Sequence, residues 1–208
     1  WSDYFTNAEA PAILRGEPVL DFEPGSAWRY SNGGYLLLGE VVARASEGSL
    51  RTFADSAMLV PLGMSSSHFH DRLDHPIARL ATGYGIDSTG AATPWPLAFA
   101  AVGSGGLYTT AADLARWSGN WWQNRLGAAD PAFAVRMSVG DTLDSGEVTP
   151  YALGVINGEL DGRVIRRHGG GLAGYRSALL QIPAVRIGIA VLCNSTSANP
   201  GALADDIA

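Results

Sequence analysis

A chain of 208 residues that is 47% hydrophobic and 16% charged can bury a core and does not have the composition of a disordered chain. Its 20 acidic and 14 basic residues give a formal charge of −6; with no basic run, that argues against nucleic acid, and no apolar run reaches the roughly 18 residues of a membrane span. All 14 basic residues are arginine, which excludes any chemistry that needs a lysine within these residues.

Along the chain, no basic-then-apolar leader opens the sequence, so no signal peptide is expected from it. Residues 1–27 read as irregular and end in a Pro24-Gly25 turn. A helix is expected from Asn32 to about Glu47, with Tyr35, Leu38, Val42 and Ala45 on its inner face. A second starts at Ser49, a good N-cap, and stops before Pro61-Leu62-Gly63. Residues 65–105 show no sustained period and are expected to wrap over a functional surface. Thr110-Ala111-Ala112-Asp113 reads as a capping box that opens a helix with Leu114, Trp117 and Trp121 on one face, as core or cleft wall. Asp130-Pro131 opens a short helix to about Val139.

From Tyr151 the period changes to two. Strands are expected at about 151–159, 162–168, 175–182 and 186–193, antiparallel because Gly162 and Pro183-Ala184 make tight connections. Asn199-Pro200 starts a last helix. Cys193, the single cysteine, reads as a small buried hydrophobe. The division is therefore a mainly helical and loop region over 1–140 and an antiparallel sheet with a C-terminal helix start over 141–208. The class is α+β, a three-layer αβα arrangement rather than a βαβ fold.

Three motifs could carry chemistry. In Tyr30-Ser31-Asn32 a phenol that can pass protons stands two residues from an amide that donates and accepts; the structural alternative is a core tyrosine with an asparagine cap. In His168-Gly169-Gly170-Gly171 glycines leave backbone N–H groups open to a ligand, as an oxyanion hole requires, beside an imidazole that can orient a carboxylate; the alternative is a tight bend. Gly103-Ser104-Gly105-Gly106-Leu107 is neither G-x-S-x-G nor a P-loop and reads as a tight turn lining a cleft. His68, His70 and His75 fit no strong zinc spacing, and neither a metal nor a cofactor is expected.

Taken together, four blocks in one order resemble a family. Residues Phe22 to Tyr35, FEPGSAWRYSNGGY, are similar to the PGxxxxYSNxGY block of the class C β-lactamase-like, penicillin-recognising serine hydrolases. Pro61-Leu62-Gly63-Met64 resembles their PLGM block, and Gly105 to Thr110 with Asp113 to Trp117 resembles GGLxTTxxDLARW. His168-Gly169-Gly170 stands where the family has K-T-G or H-x-G. The resemblance implies a β-lactamase/DD-peptidase-like fold and acyl transfer through a serine ester. Tyr30 would be the general base or acid, Asn32 would position substrate, His168 would orient it, and Gly169, Gly170 and Gly171 would line the oxyanion and substrate strand, with the Gly171 N–H as a donor.

The departure concerns the nucleophile. The family's serine lies in S-x-x-K, and this chain has no lysine. Its opening, Trp1-Ser2-Asp3-Tyr4-Phe5, resembles the stretch just after the family's H-T-S-G-L segment, downstream of S-x-x-K. The expectation is a C-terminal portion with the N-terminal strands absent; a non-catalytic binding module and a separate chain bearing the segment are the alternatives. Expected partners are a small-molecule or short-peptide substrate and, along strand 186–193, a missing N-terminal segment or another chain. Periplasm and cytoplasm both remain open. A glycine and a histidine in place of the family's Thr and Lys favour esters or D-amino-acid peptides over β-lactams.

Overall fold

The computed structural model describes residues 7, 9, 12, 15, 16, 19–97, 99–127 and 130–208. The expectations for Trp1–Phe5, and part of that for 1–27, lie outside the described residues. In chain order the elements are α1 (Asn32–Ala45), α2 (Leu50–Ala54, running on through Asp55–Leu59 and Val60–Leu62), β1 (His68–Phe69), β2 (Tyr84–Ile86), β3 (Ala92–Pro94), β4 (Leu107–Tyr108), α3 (Ala111–Gln123), α4 (Phe133–Ser138), β5 (Ile156–Leu160), β6 (Arg163–Leu172), β7 (Tyr175–Ile182), β8 (Ile187–Cys193) and α5 (Pro200–Ile207). They pack as two units, each discontinuous in sequence: Trp1–Pro76 with Ala98–Thr109 and Asp141–Thr149, and Ile77–Leu97 with Thr110–Gly140 and Pro150–Ala208.

In the first unit Ser31 caps α1 by accepting from the Gly34 N–H at 3.1 Å. The helix buries Leu36 and Gly39 rather than the expected face; Leu38 is 54% exposed. The reason is Gly39: a Cβ there would lie 2.9 Å from the Val102 carbonyl oxygen, so only glycine lets the chain at Val102 approach. Leu36 packs with Ala101 and Phe99. In α2 a capping box joins Ser49 and Thr52. The helix does not stop before Pro61. Its ladder widens at Asp55–Leu59, where the Val60 N–H reaches back five residues to Asp55, and the chain passes Pro61 before Gly63 ends it at φ 72. Segment 65–105 is not without strands: β1 pairs with β4 and β2 with β3, both antiparallel.

The second unit is a three-layer αβα arrangement. Its sheet runs β5-β6-β7-β8, every pair antiparallel. Asp161 and Gly162, both at positive φ, join β5 to β6 in a two-residue hairpin. Strand β5 starts at Ile156, later than expected; Tyr151 makes only a single bridge, to Ile156. Strand β6 is longer than expected. The glycine run is inside it, held by pairing from Gly169↔Ala178 to Leu172↔Tyr175. One sheet face packs Ile165, Ala178, Leu180, Ile182 and Ile189 against Ala204 of α5. The other meets α3, where a Cβ on Gly188 would lie 2.5 Å from the Ser118 Cβ. Trp121 of α3 is buried with Ala152 and Val155.

In β8, Ile189 is buried and Val191 packs against the same core, whereas Ile187 is 44% exposed. Helix α5 covers that face of the strand. Cys193 is half-buried rather than buried, because it ends the strand beyond the core cluster. Among the described residues no helix is long and apolar enough to cross a membrane.

The tip of the β6–β7 hairpin is the tightest backbone contact. A Cβ on Gly174 would collide with the Tyr84 nitrogen. Main-chain atoms cannot swing aside as a side chain can, so Gly174→Ala is expected to destabilise the protein by about 1–3 kcal/mol. Urea unfolding checks this, with Gly105→Ala as a comparison for the general cost of replacing a glycine; Gly105 has nothing within 4 Å of its Cβ direction.

Candidate active site

The first group is built at the start of α1. Gly25, at φ +85, turns the chain where a Cβ would meet the Asp144 carboxylate, and its carbonyl accepts from the Asp144 N–H at 3.0 Å. Arg29 is ion-paired with Asp21. Beyond them the extended Ser31 (φ −141) caps the helix, and this sets Tyr30 and Asn32 side by side. The Tyr30 hydroxyl donates to Asn32 Oδ1 at 3.1 Å, and Tyr30 is 45% exposed. A phenol and an amide thus share one hydrogen bond at a helix N-terminus, the phenol reachable from solvent.

The second group is built on β6, in the other unit. His168 Nδ1 lies 2.7 Å from the Gly169 carbonyl oxygen and Nε2 lies 3.2 Å from the Tyr151 hydroxyl. A carbonyl only accepts, so Nδ1 carries the hydrogen; in the neutral ring Nε2 then accepts and the Tyr151 O–H donates. The two rings meet edge-on at 76°. Tyr151 belongs to no motif in the sequence; only the chain reversal that brings residues 151 and 156 together places it beside His168.

The glycine run offers backbone rather than side chains. Leu172 and Tyr175 flank the two-residue connection Ala173-Gly174, so they form a hydrogen-bonded pair, and the alternation of an antiparallel ladder turns His168 and Gly170 towards β7. Gly169 and Gly171 therefore turn their N–H and C=O groups outward. On that outer side β5 reaches only as far as Arg167, paired with Ile156, so among the described residues the edge from His168 onward is open in this sheet. A cleft of about 490 Å³ is lined by His168, Gly169, Gly170 and Ser177, with the Arg167–Asp205 ion pair also in its wall. Arg166, two residues before His168 on the same face, lies over the Trp121 ring at 5.3 Å. Burial holds its pKa below the ordinary guanidinium range.

The other candidates resolve as structure. In the turn Gly103–Leu107, a Cβ on Gly103 (φ +127) would lie 2.6 Å from the Tyr35 carbonyl oxygen, so the turn packs on the backbone of α1. His68 and His70 share a hydrogen bond, Nε2 to Nδ1 at 3.2 Å, with the Tyr108 ring beside them. Among the described residues no three His, Cys, Asp or Glu side chains group as metal ligands. Burial, and then the Arg51 charge, hold the His68 pKa below its ordinary value; burial, then His68 and Arg51, do the same for His70. Asp55 and Asp71 oppose these effects at His68, Asp71 opposes them at His70, and His75 adds to them there.

Comparison with known proteins adds the context. A family model described as Beta-lactamase matches residues 2–208. A D-aminopeptidase of Gluconobacter oxydans (strain 621H) is 25% identical over 195 residues, 94% of this chain and 37% of that protein. Penicillin-binding protein 4* of Bacillus subtilis (strain 168) is 26% identical over 204 residues, 86% of this chain and 44% of that protein. The octameric penicillin-binding protein homologue from Pyrococcus abyssi superposes with a TM-score of 0.82 at 27% identity, over 97% of this chain and 46% of its own. The chain thus spans less than half the length of the curated relatives it matches.

The histidine pair generates a test. Both imidazoles titrate lower when folded than their ordinary 6.5. Below that pH the unfolded chain binds more protons, so their contribution to stability is present above pH 6.5 and is lost as pH falls. Denaturant unfolding at stepped pH between 8 and 5 is expected to show this loss. A His68→Gln, His70→Gln variant is expected to flatten it; an unchanged slope would show that the pair is not its source.

Proposed function

Because this chain belongs to the beta-lactamase family, we propose that it carries the substrate strand and the proton-transfer tyrosine of a serine hydrolase that works through an acyl-enzyme. The observation that supports this most directly is the Tyr30–Asn32 hydrogen bond at the cap of α1, on the two residues that match the family's Y-S-N block. Tyr30 passes protons between nucleophile and leaving group. Asn32 holds the substrate amide. His168 orients the substrate from β6, and the outward Gly171 N–H donates to the oxyanion that forms when the carbonyl is attacked. The tautomer of His168 fits an orienting role: Nδ1–H is engaged with the Gly169 carbonyl and Nε2 with Tyr151.

The substrate class that fits is a D-amino-acid peptide, amide or ester in preference to a β-lactam. His168-Gly169-Gly170 lacks the fixed ammonium of a K-T-G strand, and D-aminopeptidases stand among the relatives. The second reading, a ligand-binding module without turnover, is favoured by one observation, the absence of lysine from all 208 residues.

These residues by themselves are expected to show no saturable hydrolysis of a chromogenic cephalosporin or a p-nitrophenyl ester. Mass spectrometry checks it directly: a stoichiometric acyl adduct on any serine of the chain would overturn the expectation. Among the described residues β8 pairs only with β7 in its sheet, and its other edge is proposed to accept a strand from another chain. Sedimentation velocity is then expected to show concentration-dependent association, abolished by Leu192→Pro, because the Leu192 main-chain N–H points away from β7. A monomer at all concentrations would refute the pairing.

A further inference from the structure

We infer that Ser177, on the strand next to the glycine run, supplies a hydroxyl that binds a carboxylate of the ligand, and that Gly170 is a glycine to leave that hydroxyl room. The inference rests on the reading of β6 as the substrate strand. Cross-strand pairing sets His168 opposite Leu179, Gly169 opposite Ala178 and Gly170 opposite Ser177. Side chains alternate along a strand, so His168 and Ser177 share one face. A side chain at position 169 would project from the other face, where Ala178 is buried in the core with Ala204. On the imidazole face the hydroxyl therefore comes from β7.

Its direction is fixed by its neighbour. A Cβ on Gly170 would lie 2.5 Å from Ser177 Oγ but 3.9 Å from Ser177 Cβ. The hydroxyl thus leans across the ladder over the backbone of β6, towards the strand whose outer edge is open. Ser177 is half-buried on this face. Among the described residues no protein group is hydrogen-bonded to this hydroxyl, so it keeps its donor for a ligand. The charge on this face selects what the donor meets. Arg166 stands two residues before His168, over Trp121, and among the described residues no carboxylate pairs with it. A cation without a counter-charge and a neutral hydroxyl donor together favour an anionic acceptor.

The test uses this chain and two ligands, N-acetyl-D-alanyl-D-alanine and its C-terminal amide, titrated by NMR so that millimolar affinities are measurable. The unaltered chain is expected to bind the carboxylate more tightly than the amide. Ser177→Ala is expected to weaken binding of the carboxylate about tenfold and to leave the amide unchanged, with the melting temperature unmoved. Gly170→Ala, whose methyl must push the hydroxyl aside, is expected to give the same selective loss. The double variant should lose no more than either, because both changes remove one interaction. If Ser177→Ala keeps the full preference for the carboxylate, or if the two losses add, the inference is overturned. Failure of the unaltered chain to bind either ligand overturns the substrate-strand reading itself, and this inference with it.

Discussion

The register between β6 and β7 is the constraint on which the second unit depends. It runs unbroken from Arg166↔Gln181 to Leu172↔Tyr175, and its far end is closed by a connection of only two residues, with Ala173 at φ 47. So short a turn admits no slippage, since a shift by one residue would move every side chain to the opposite face. One ladder therefore decides that Ile165 and Leu180 go to the core, that His168 and Ser177 go to the opposite face, and that Gly169 and Gly171 send their polar groups outward. Gly174 makes the closure firmer, because its missing Cβ lets the tip rest on the backbone at Gly83 and Tyr84. The Tyr175 hydroxyl adds a bond to the Ala81 carbonyl at 2.7 Å.

The two faces of the sheet are covered by different means. On the α5 face the contacts are apolar, and burying side chains such as Ile165, Leu180 and Ile182 contributes of the order of 1.5–3 kcal/mol each. On the α3 face the helix comes close because Gly188 has no side chain, and the groups enclosed there are polar: Ser118 at 1% exposure, Gln181 at 2%, and the Nε of Arg166. Apolar burial holds the first face together. The second instead sets a cation and a hydroxyl on the side of the imidazole.

Much of this is legible in the sequence where local chemistry decides. Strand β7 can be read with its observed limits, because alternation and the flanking turns act over a few residues. The caps at Ser49 and Thr110 are set by side chains that bond within three residues, whereas at α1 the cap falls on Ser31 rather than on the asparagine. Tyr30 and Asn32 are paired by a motif that lies within one turn of backbone. What escapes the sequence depends on contacts distant in the chain. The inner face of α1 is set by Val102, far from Gly39; Pro61 is passed by a change in helical pitch that no propensity encodes; and Tyr151 meets His168 through a reversal of the chain. The glycine run reads as lying beyond the end of its strand because glycine disfavours strands, whereas its pairing with β7 keeps it extended.

That run has a further consequence, for coexistence with other chains in a crowded cell. An open strand edge is a template on which any extended segment can nucleate a cross-strand aggregate. The edge from His168 to Gly171 presents main-chain donors and acceptors but, past the histidine, no side chains for a stray segment to interlock with. Steric-zipper growth relies on such interdigitation. Gly169, Gly170 and Gly171 thus keep the edge readable to a small partner that brings its own contacts, and barren ground for an accidental one.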